Sequence, residues 1–172
     1  KIMRRNYDGE TFPPMGCRSH LSNWKDENGN YKWYGRFNQG VVSLNLVQVA
    51  LTANKDMKKF WEVLDERLDL CREALMVRHN LLLGTPSDIS PIHWQHGGIA
   101  RLEKGEKIDP LLKNGYSTLS LGYVGIYEMT QAMLGVSHTT KEGEEFALQV
   151  MNHLKDACDS WKKETGLGFG LY

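Results

Sequence analysis

The chain has 172 residues, of which 41% are hydrophobic and 24% charged, and its 21 basic residues balance its 21 acidic ones. This length suits one domain with a sizeable core, and the composition is too apolar for a disordered chain. The zero net charge gives no electrostatic reason to expect binding to nucleic acid or to a membrane surface.

The termini and the cysteines indicate where the protein works. No apolar run approaches the roughly 20 residues of a membrane-spanning helix, and the N-terminus lacks the apolar stretch of a signal peptide. The three cysteines, at positions 17, 71 and 158, fit no disulfide framework. We therefore expect a reducing, cytoplasmic location. Because the chain starts without Met and stops on an apolar run, we also expect an internal piece of a longer protein.

The first third of the chain predicts a loop, a hairpin and a strand. Residues 7–20 are predicted to form a loop, which Pro13-Pro14 stiffens. Asn28-Gly29 lies between two aromatic-rich runs and predicts a hairpin over about 20–36. Residues 40–50 are β-branched and nearly all apolar, which predicts a strand buried on both faces.

Helical periodicity begins after this strand. Apolar residues at alternating three- and four-residue steps predict a long helix over about 54–83, which Gly84 ends. The predicted buried stripe consists of Met57, Trp61, Leu64, Leu68, Cys71, Leu75 and Leu82.

The last third alternates between strands and helices. Residues 116–121 predict a strand, and a helix follows that ends at Gly135. A final helix, with a possible capping box of Thr139 and Glu142, is ended by Gly166 and precedes a strand over 167–172. Strands separated by helices predict a largely parallel α/β fold.

One cysteine differs from the other two in its surroundings. Cys17 lies between Gly16 and Arg18 on the predicted loop, where a neighbouring cation can lower the pKa of a thiol. It is either a reactive thiol or an incidental one. Cys71 and Cys158 lie on apolar helical stripes, and we expect both to pack in the core.

Several polar and glycine motifs allow two interpretations. Asn38, between Gly35 and Gly40, either forms the turn into the strand or projects its amide into a ligand pocket. The pair of histidines His93-x-x-His96 lacks a further ligand, so we predict no metal site.

The glycine motifs favour packing. The sequence Gly122-x-x-Gly125 lacks the full dinucleotide or P-loop fingerprint, which favours helix–sheet packing over phosphate binding. The alternation of Gly166, Gly168 and Gly170 predicts a close approach of another segment.

Together these stretches resemble the anaerobic, glycyl-radical ribonucleoside-triphosphate reductases, in collinear order over nearly the whole chain. The matching stretches are Met15-Gly16-Cys17-Arg18-Ser19, Gly35-Arg36-Phe37-Asn38-Gln39-Gly40-Val41-Val42, Phe60-Trp61, Leu64-Asp65-Glu66-Arg67, Glu73-Ala74-Leu75-Met76 with Arg78-His79, Gly115-Tyr116-Ser117-Thr118, Leu121-Gly122-Tyr123, Glu145-Phe146-Ala147-Leu148 and the Gly-Phe-Gly-Leu-Tyr end.

The resemblance implies a fold and a mechanism. The family fold is a ten-stranded α/β barrel made of two parallel halves, with a finger loop through its centre. Residues 1–172 would then be a fragment of this catalytic barrel, with the finger loop at about 7–20, a hairpin at 20–36 and a half-barrel over 40–172. Cys17, at the finger tip, would become a thiyl radical and abstract the 3′ hydrogen of the ribose, after which the 2′ hydroxyl leaves as water. Asn38 would contact the substrate or formate.

The resemblance also implies further site residues, cofactors and partners. Met15, Gly16 and Arg18 would shape the floor of the pocket. The substrates would be ribonucleoside triphosphates, formate would be the reductant, and other nucleotides would act as allosteric effectors. An S-adenosylmethionine/iron–sulfur activating enzyme would install the glycyl radical, and the whole protein would contain structural zinc and form a homodimer.

The sequence departs from the family pattern in what it lacks. The radical-glycine motif, the zinc-binding cysteine pairs, a second active-site cysteine and the effector-binding module have no match here. We therefore expect no metal or cofactor within this piece, and no activity from it alone.

Two rival interpretations remain. A glycyl-radical enzyme of the formate-lyase type predicts adjacent cysteines on the finger, whereas Gly16 and Arg18 flank Cys17. A non-catalytic nucleotide-binding or scaffold module predicts that alkylation of Cys17 leaves function unchanged.

Overall fold

The computed structural model of the chain describes residues 4–5, 11–12 and 21–172. The elements in chain order are β1 (Arg4–Arg5), β2 (Thr11–Phe12), β3 (Asn38–Asn45), α1 (Leu46–Ala53), α2 (Met57–Leu82), the short α3 (Pro91–Trp94), β4 (Thr118–Val124), α4 (Ile126–Leu134), α5 (Lys141–Thr165) and β5 (Gly168–Leu171). Strands β1 and β2 pair antiparallel, so the predicted loop over 7–20 is wrong at Thr11–Phe12. Strands β3, β4 and β5 form a parallel sheet with β4 in the middle.

Helices cover one face of the parallel sheet. Helix α2 packs on β3, α5 packs on β5, and α1 contacts α2 and α4. The apolar side chains between these layers form one core, which includes the fully buried Phe60, Leu64, Leu119, Leu154 and Phe169. The predicted parallel α/β arrangement is therefore confirmed, because α2 and α4–α5 lie between successive parallel strands.

The predicted strand over 40–50 is wrong in its second half. Strand β3 ends at Asn45, whose side chain accepts a hydrogen bond from the backbone N–H of Gln48 (3.2 Å) and caps α1. The residues of α1 that are buried recur at helical spacing, and they are Leu46, Val49, Ala50 and Ala53. The prediction of burial on both faces is also wrong, since Leu44 is the one residue of β3 in the buried class.

The hairpin predicted at 20–36 reduces to a tight turn. The carboxylate of Asp26 accepts hydrogen bonds from the backbone N–H groups of Asn28 and Asn30, both at 2.9 Å. Gly29 has φ +79°, a left-handed conformation that glycine adopts without steric penalty. Lys25 and Tyr31 form a single antiparallel bridge across the turn. The predicted turn is confirmed, but the strands on either side of it do not extend into a ladder.

The long helices agree with the periodicity and differ in detail. Helix α2 begins after Asp56, whose carboxylate accepts from the N–H of Lys59. Its buried stripe runs from Phe60 to His79, so the prediction is wrong at the exposed Met57 and at the half-buried Trp61 and Leu82. Helix α5 is capped by Thr140 rather than by Thr139, because the Thr140 hydroxyl accepts the N–H of residue 143. The predicted capping box therefore does not form. Helix α4 ends at the predicted glycine, and α5 ends at Gly166.

Candidate functional site

The two faces of the sheet differ in chemistry. On β4 and β5, Leu119, Leu121 and Phe169 point into the core beneath the helices. Because side chains alternate along a strand, their neighbours lie on the opposite face. We call this second face the polar face. Most of its residues are polar or small: Asn38, Ser43, Thr118, Ser120, Gly122, Gly168 and Gly170. It also carries Val41, which pairs with Ser120, and Asn45 and Val124 at the ends of β3 and β4.

A β-bulge determines which face Asn38 occupies. Asn38 pairs with Thr118 and Gly40 pairs with Leu119, so Gln39 is an extra residue in β3. In a strand without a bulge, Asn38 and Gly40 are two residues apart and would lie on the same face. Instead Asn38 lies on the polar face, whereas a Cβ added to Gly40 would lie 2.6 Å from Cδ of Arg78 on the helix side.

Two hydrogen bonds orient the Asn38 amide. Its Nδ2 donates to the hydroxyl of Ser120, and its Oδ1 accepts from the backbone N–H of Gly40 at 2.8 Å. A primary amide has two N–H donors and two lone pairs on oxygen. Within the described part of the chain, one donor and one lone pair of Asn38 have no other partner. Asn38 can therefore donate one further hydrogen bond and accept another.

The bulged residue is held on the helix side by a buried network. Gln39 Nε2 donates to the carbonyl of Leu112 (3.1 Å) and to the hydroxyl of Ser117 (2.8 Å). Gln39 Oε1 lies 2.8 Å from Nδ1 of His79, so the His79 ring donates this hydrogen bond. Burial is the main cause that lowers the pKa of His79; the positive charge of Lys113 adds to it. A neutral His79 with its proton on Nδ1 therefore completes the network.

Ser22 lies on the polar face, in the same row as Asn38. Its backbone N–H donates to Oγ1 of Thr118 (3.1 Å), and the two hydroxyl oxygens are also 3.1 Å apart. Thr118 pairs with Asn38 on one side and with Gly168 on the other. A Cβ added to Gly168 would lie 2.9 Å from Oγ of Ser22 and 2.6 Å from the carbonyl oxygen of Ser117. The predicted close approach is therefore confirmed at Gly168, but it is wrong at Gly166, where an added Cβ would have no atom within 4 Å.

A buried arginine joins Ser22 to the start of β4. Arg36 is only 5% exposed, and its Nη2 donates to the carbonyls of Ser22 (2.7 Å) and Gly115 (3.1 Å). Its Nε donates to the carbonyl of Tyr116 at 2.7 Å. Burial lowers the pKa of Arg36 to about 10, which still leaves it charged at neutral pH. The guanidinium is therefore stabilised by carbonyl dipoles, and it holds three backbone segments together.

Most of the predicted site residues lie outside the described part. Met15, Gly16, Cys17 and Arg18 are among the residues that the structure does not describe, so their roles stay predictions. Asn38 is described and lies on the polar face.

The other cysteines belong to the core. Cys71 and Cys158 are buried with free thiols, as predicted. Burial raises the pKa of both, that of Cys158 to about 12.

The remaining motifs are explained by local packing. Gly125 has φ +88°, and a Cβ there would lie 2.2 Å from Cγ2 of Val47 in α1, which confirms a packing role. Gly122 instead approaches Ser43 and Tyr172 across the sheet. The Nδ1 atom of His93 bonds to the hydroxyl of Ser90 at 2.7 Å.

Two further kinds of feature are absent from the described residues. They contain no group of three or more His, Cys, Asp or Glu side chains that could hold a metal ion. No helix among them combines the length and apolar character needed to cross a membrane.

Several residues of this site were not predicted from the sequence. Ser22, Arg36, Thr118, Ser120 and His79 carry its hydrogen bonds. Arg36, His79 and Thr118 lie in stretches that resemble the family, but the resemblance implied no role for them. His79 had a usable signal, because it lies four residues after Leu75 and so continues the buried stripe of α2.

Known proteins of one family match nearly the whole chain. The family model described as anaerobic ribonucleoside-triphosphate reductase matches residues 1–172. The anaerobic ribonucleoside-triphosphate reductase of Escherichia coli K12 is 42% identical over 176 residues, and that of enterobacteria phage T4 is 43% identical over 171 residues. These matches cover 97% and 95% of this chain but only 25% and 27% of the two relatives. The chain thus spans about a quarter of their length.

Solved structures share the fold. Two crystal structures of the anaerobic ribonucleotide reductase from Thermotoga maritima, one with glycerol in the active site and one in complex with dATP and CTP, give TM-scores of 0.60 and 0.59. They align over 88% of this chain and 24% of theirs, at 20% and 18% identity. The parallel sheet with its helices is therefore the fold of a segment of anaerobic ribonucleotide reductases. The chain belongs to the anaerobic ribonucleoside-triphosphate reductase family.

Proposed function

We propose that the protein containing this chain reduces ribonucleoside triphosphates to deoxyribonucleoside triphosphates by radical chemistry, with Cys17 as the thiyl residue. Family membership supports the reaction class. The observation that carries the site assignment is that Ser22, five residues after Cys17, and Asn38 share one row of the polar face. This shared row supports a site that combines the thiol of Cys17 with the partly unused amide of Asn38.

The proposed reaction begins at Cys17. The glycyl radical of the family, when present, would take the hydrogen atom of the Cys17 thiol and leave a thiyl radical. The Cys17 sulfur then abstracts the 3′ hydrogen of the ribose, the 2′ hydroxyl leaves as water, and the sulfur later returns a hydrogen to the 3′ carbon. Over the cycle, a ribonucleotide, formate and a proton give a deoxyribonucleotide, carbon dioxide and water.

Asn38 is suited to contact either the ribose or the reductant. Its remaining N–H can donate to a hydroxyl oxygen or to a formate oxygen, and its remaining lone pair can accept from a hydroxyl group. The bonds to Ser120 and Gly40 orient the amide before a ligand binds. Such preorganisation favours catalysis because less ordering is needed when the ligand arrives.

The polar face suits a pocket wall because its side chains are small. On this side β4 and β5 carry Thr118, Ser120, Gly122, Gly168 and Gly170, and Val124 lies at the exposed end of β4. We propose that this sheet is part of a half-barrel of a ten-stranded α/β barrel, with residues 7–20 as its finger loop. Met15, Gly16 and Arg18 then shape the pocket floor near Cys17. A pocket of this kind keeps water away from the radical.

The remaining proposals concern the whole protein. The Thermotoga maritima relatives were solved with dATP and CTP, and with dATP in the specificity site. We extend to this protein the binding of nucleotide substrates and effectors, activation by a radical S-adenosylmethionine enzyme, a homodimer and a cytoplasmic location. We assign the family's structural zinc to no residue of the described part, since no suitable side-chain cluster exists there.

The test uses the full-length, activated protein. We expect Cys17→Ser to abolish formation of deoxyribonucleotides from each of the four ribonucleoside triphosphates. We expect Asn38→Ala to reduce kcat by about 10- to 1000-fold, comparable to the loss of one oriented hydrogen-bond donor in an active site. Cys158→Ser, a matched change of a buried cysteine, should retain turnover.

Release of labelled carbon dioxide from formate, in step with deoxyribonucleotide formation, identifies the reductant. Turnover by the Cys17→Ser protein would contradict the proposed function. Residues 1–172 alone should form no deoxyribonucleotide, even with the activating enzyme.

A further inference from the structure

We propose that Thr118 and Arg36 are positioning residues that hold Ser22 and thereby anchor the chain five residues after Cys17. This inference rests on the proposed function. Thr118 and Arg36 belong to different parts of the chain, but both donate or accept hydrogen bonds at Ser22.

Every polar group of Ser22 is engaged. The backbone N–H donates to Thr118 Oγ1, the carbonyl accepts from Arg36 Nη2, and the hydroxyl lies 3.1 Å from Thr118 Oγ1 and 3.5 Å from Arg36 Nη2. Gly168 leaves room for this arrangement, because a Cβ there would lie 2.9 Å from the Ser22 hydroxyl oxygen. Hydrogen bonds therefore hold Ser22 through its backbone N–H, its carbonyl and its hydroxyl.

The two holding residues are themselves fixed. Thr118 is fully buried in the central strand β4, and Arg36 is 5% exposed with further bonds to the carbonyls of Gly115 and Tyr116. A buried guanidinium without a carboxylate partner in the described residues costs solvation energy. The buried guanidinium must therefore keep its hydrogen bonds to backbone carbonyls, including that of Ser22.

Position matters here because the reaction is sensitive to geometry. Ser22 lies five positions after Cys17, a span of at most about 18 Å when extended. Asn38, the other proposed site residue, pairs with Thr118 directly. Holding Ser22 at Thr118 therefore limits how far the thiol can lie from the amide. A misplacement of about 1 Å can reduce a rate by about 100-fold.

The experiment compares isosteric variants of the full-length protein. Thr118→Val removes the hydroxyl but keeps the shape, and Thr118→Ser keeps the hydroxyl. Thr130→Val is the matched control, because Thr130 is also fully buried and its hydroxyl bonds to the carbonyl of Tyr127 in α4, away from the polar face.

Two readouts distinguish positioning from folding. The first is kcat and KM for the ribonucleoside triphosphates. The second, measured without the radical, is the rate at which iodoacetamide alkylates Cys17, followed by mass spectrometry of its peptide. Cys71 and Cys158, both buried, are internal references for unfolding in the same sample.

We expect Thr118→Val to lower kcat by about 10- to 100-fold with little change in KM, as for misplaced reacting groups. Cys17 should be alkylated faster while Cys71 and Cys158 stay protected. Thr118→Ser and Thr130→Val should behave like the wild type. If Thr118→Val exposes the reference cysteines, Thr118→Ala replaces it under the same criteria.

Wild-type kcat in a folded variant without the hydroxyl would overturn the inference. So would a reduced kcat with unchanged alkylation of Cys17. A Cys17→Ser protein that turns over would instead overturn the proposed function, whatever the Thr118 variants do.

Discussion

The two faces of the central strand β4 are both buried, but they are stabilised differently. On the helix side, Leu119 and Leu121 are fully buried among apolar side chains. On the polar face, Thr118 and Ser120 are 0% and 1% exposed, and each is hydrogen-bonded to a residue of another segment. Burial alone therefore does not distinguish the core from the candidate site; the kind of partner does.

This difference separates stability from catalysis. Loss of an apolar side chain on the helix side removes buried area and leaves a cavity, so the free energy of unfolding falls. Loss of a hydroxyl on the polar face removes one hydrogen bond, which contributes about 1 kcal/mol to stability, but it disturbs groups whose position the reaction needs. We therefore expect substitutions on the helix side to lower stability more than turnover, and substitutions on the polar face to lower turnover more than stability.

The largest effect on stability is expected from Phe169→Ala on the helix side. Phe169 is fully buried and lies with its ring centroid 5.5 Å from that of Trp161. Removing a buried phenylalanine costs about 3–5 kcal/mol. Denaturant unfolding followed by tryptophan fluorescence measures this loss. Turnover per folded molecule should change little, and a loss below about 1 kcal/mol would contradict the assigned packing.

A smaller loss of stability is expected from Gly125→Ala, because Gly125 lies where α1 and α4 meet. The new Cβ would lie 2.2 Å from Cγ2 of Val47, at a φ of +88°. Gly135→Ala is the matched control, because its φ is +76° but nothing lies within 4 Å of the added Cβ. Strain at such a φ costs about 1–3 kcal/mol. Equal midpoints of thermal unfolding for the two variants would show that the contact with Val47 contributes nothing.

On the polar face, Ser120→Ala should lower stability by about 1 kcal/mol, because Asn38 Nδ2 loses its acceptor. Turnover of the full-length enzyme should fall more than this loss suggests, by about tenfold, since the amide is no longer oriented. Ser87→Ala is a matched control: Ser87 is fully buried, and its hydroxyl donates to the carbonyl of Glu103. It should lower stability but not turnover. The reverse pattern would contradict the comparison of the two faces.

The smallest effect concerns pH. Burial, and secondarily Lys113, lowers the pKa of His79 from 6.5, against a smaller opposing contribution from Asp109. Between the lowered pKa and 6.5, the unfolded chain binds more protons than the folded one, so stability rises with pH in this window and is constant above it. His79→Asn keeps a donor to Gln39 and should remove this part of the pH dependence. Unfolding titrations of both proteins measure it, and identical slopes would contradict a shifted His79.

The sequence predicted what depends on periodicity. The stripes of α2 and α5, the parallel order of the strands and the glycines that end α4 and α5 all follow from spacing that local patterns show. Residues 46–50 were predicted wrongly because β-branched valines favour strands, whereas burial on one helical face and the cap at Asn45 decided for α1.

The candidate site was less predictable because its contacts join distant residues. Arg36 binds carbonyls that lie 79 and 80 residues further along the chain, and Thr118 meets Ser22 across 96 residues. Nothing in the local sequence marks a carbonyl as an acceptor. Asn38 was identified as a candidate, but its orientation could not be predicted, since it depends on pairing with β4.

The extra residue in β3 makes the direction of Asn38 a matter of counting. If the residues of β3 paired one for one with those of β4, Gln39 would lie opposite Thr118 and the amide of Asn38 would face the helices. A deletion of Gln39 would instead leave Asn38 next to Gly40 in a regular ladder and still opposite Thr118, but with the loss of the hydrogen bonds to Leu112, Ser117 and His79. Evolution can therefore straighten this strand without turning Asn38 away from Thr118, provided that another side chain bonds to His79.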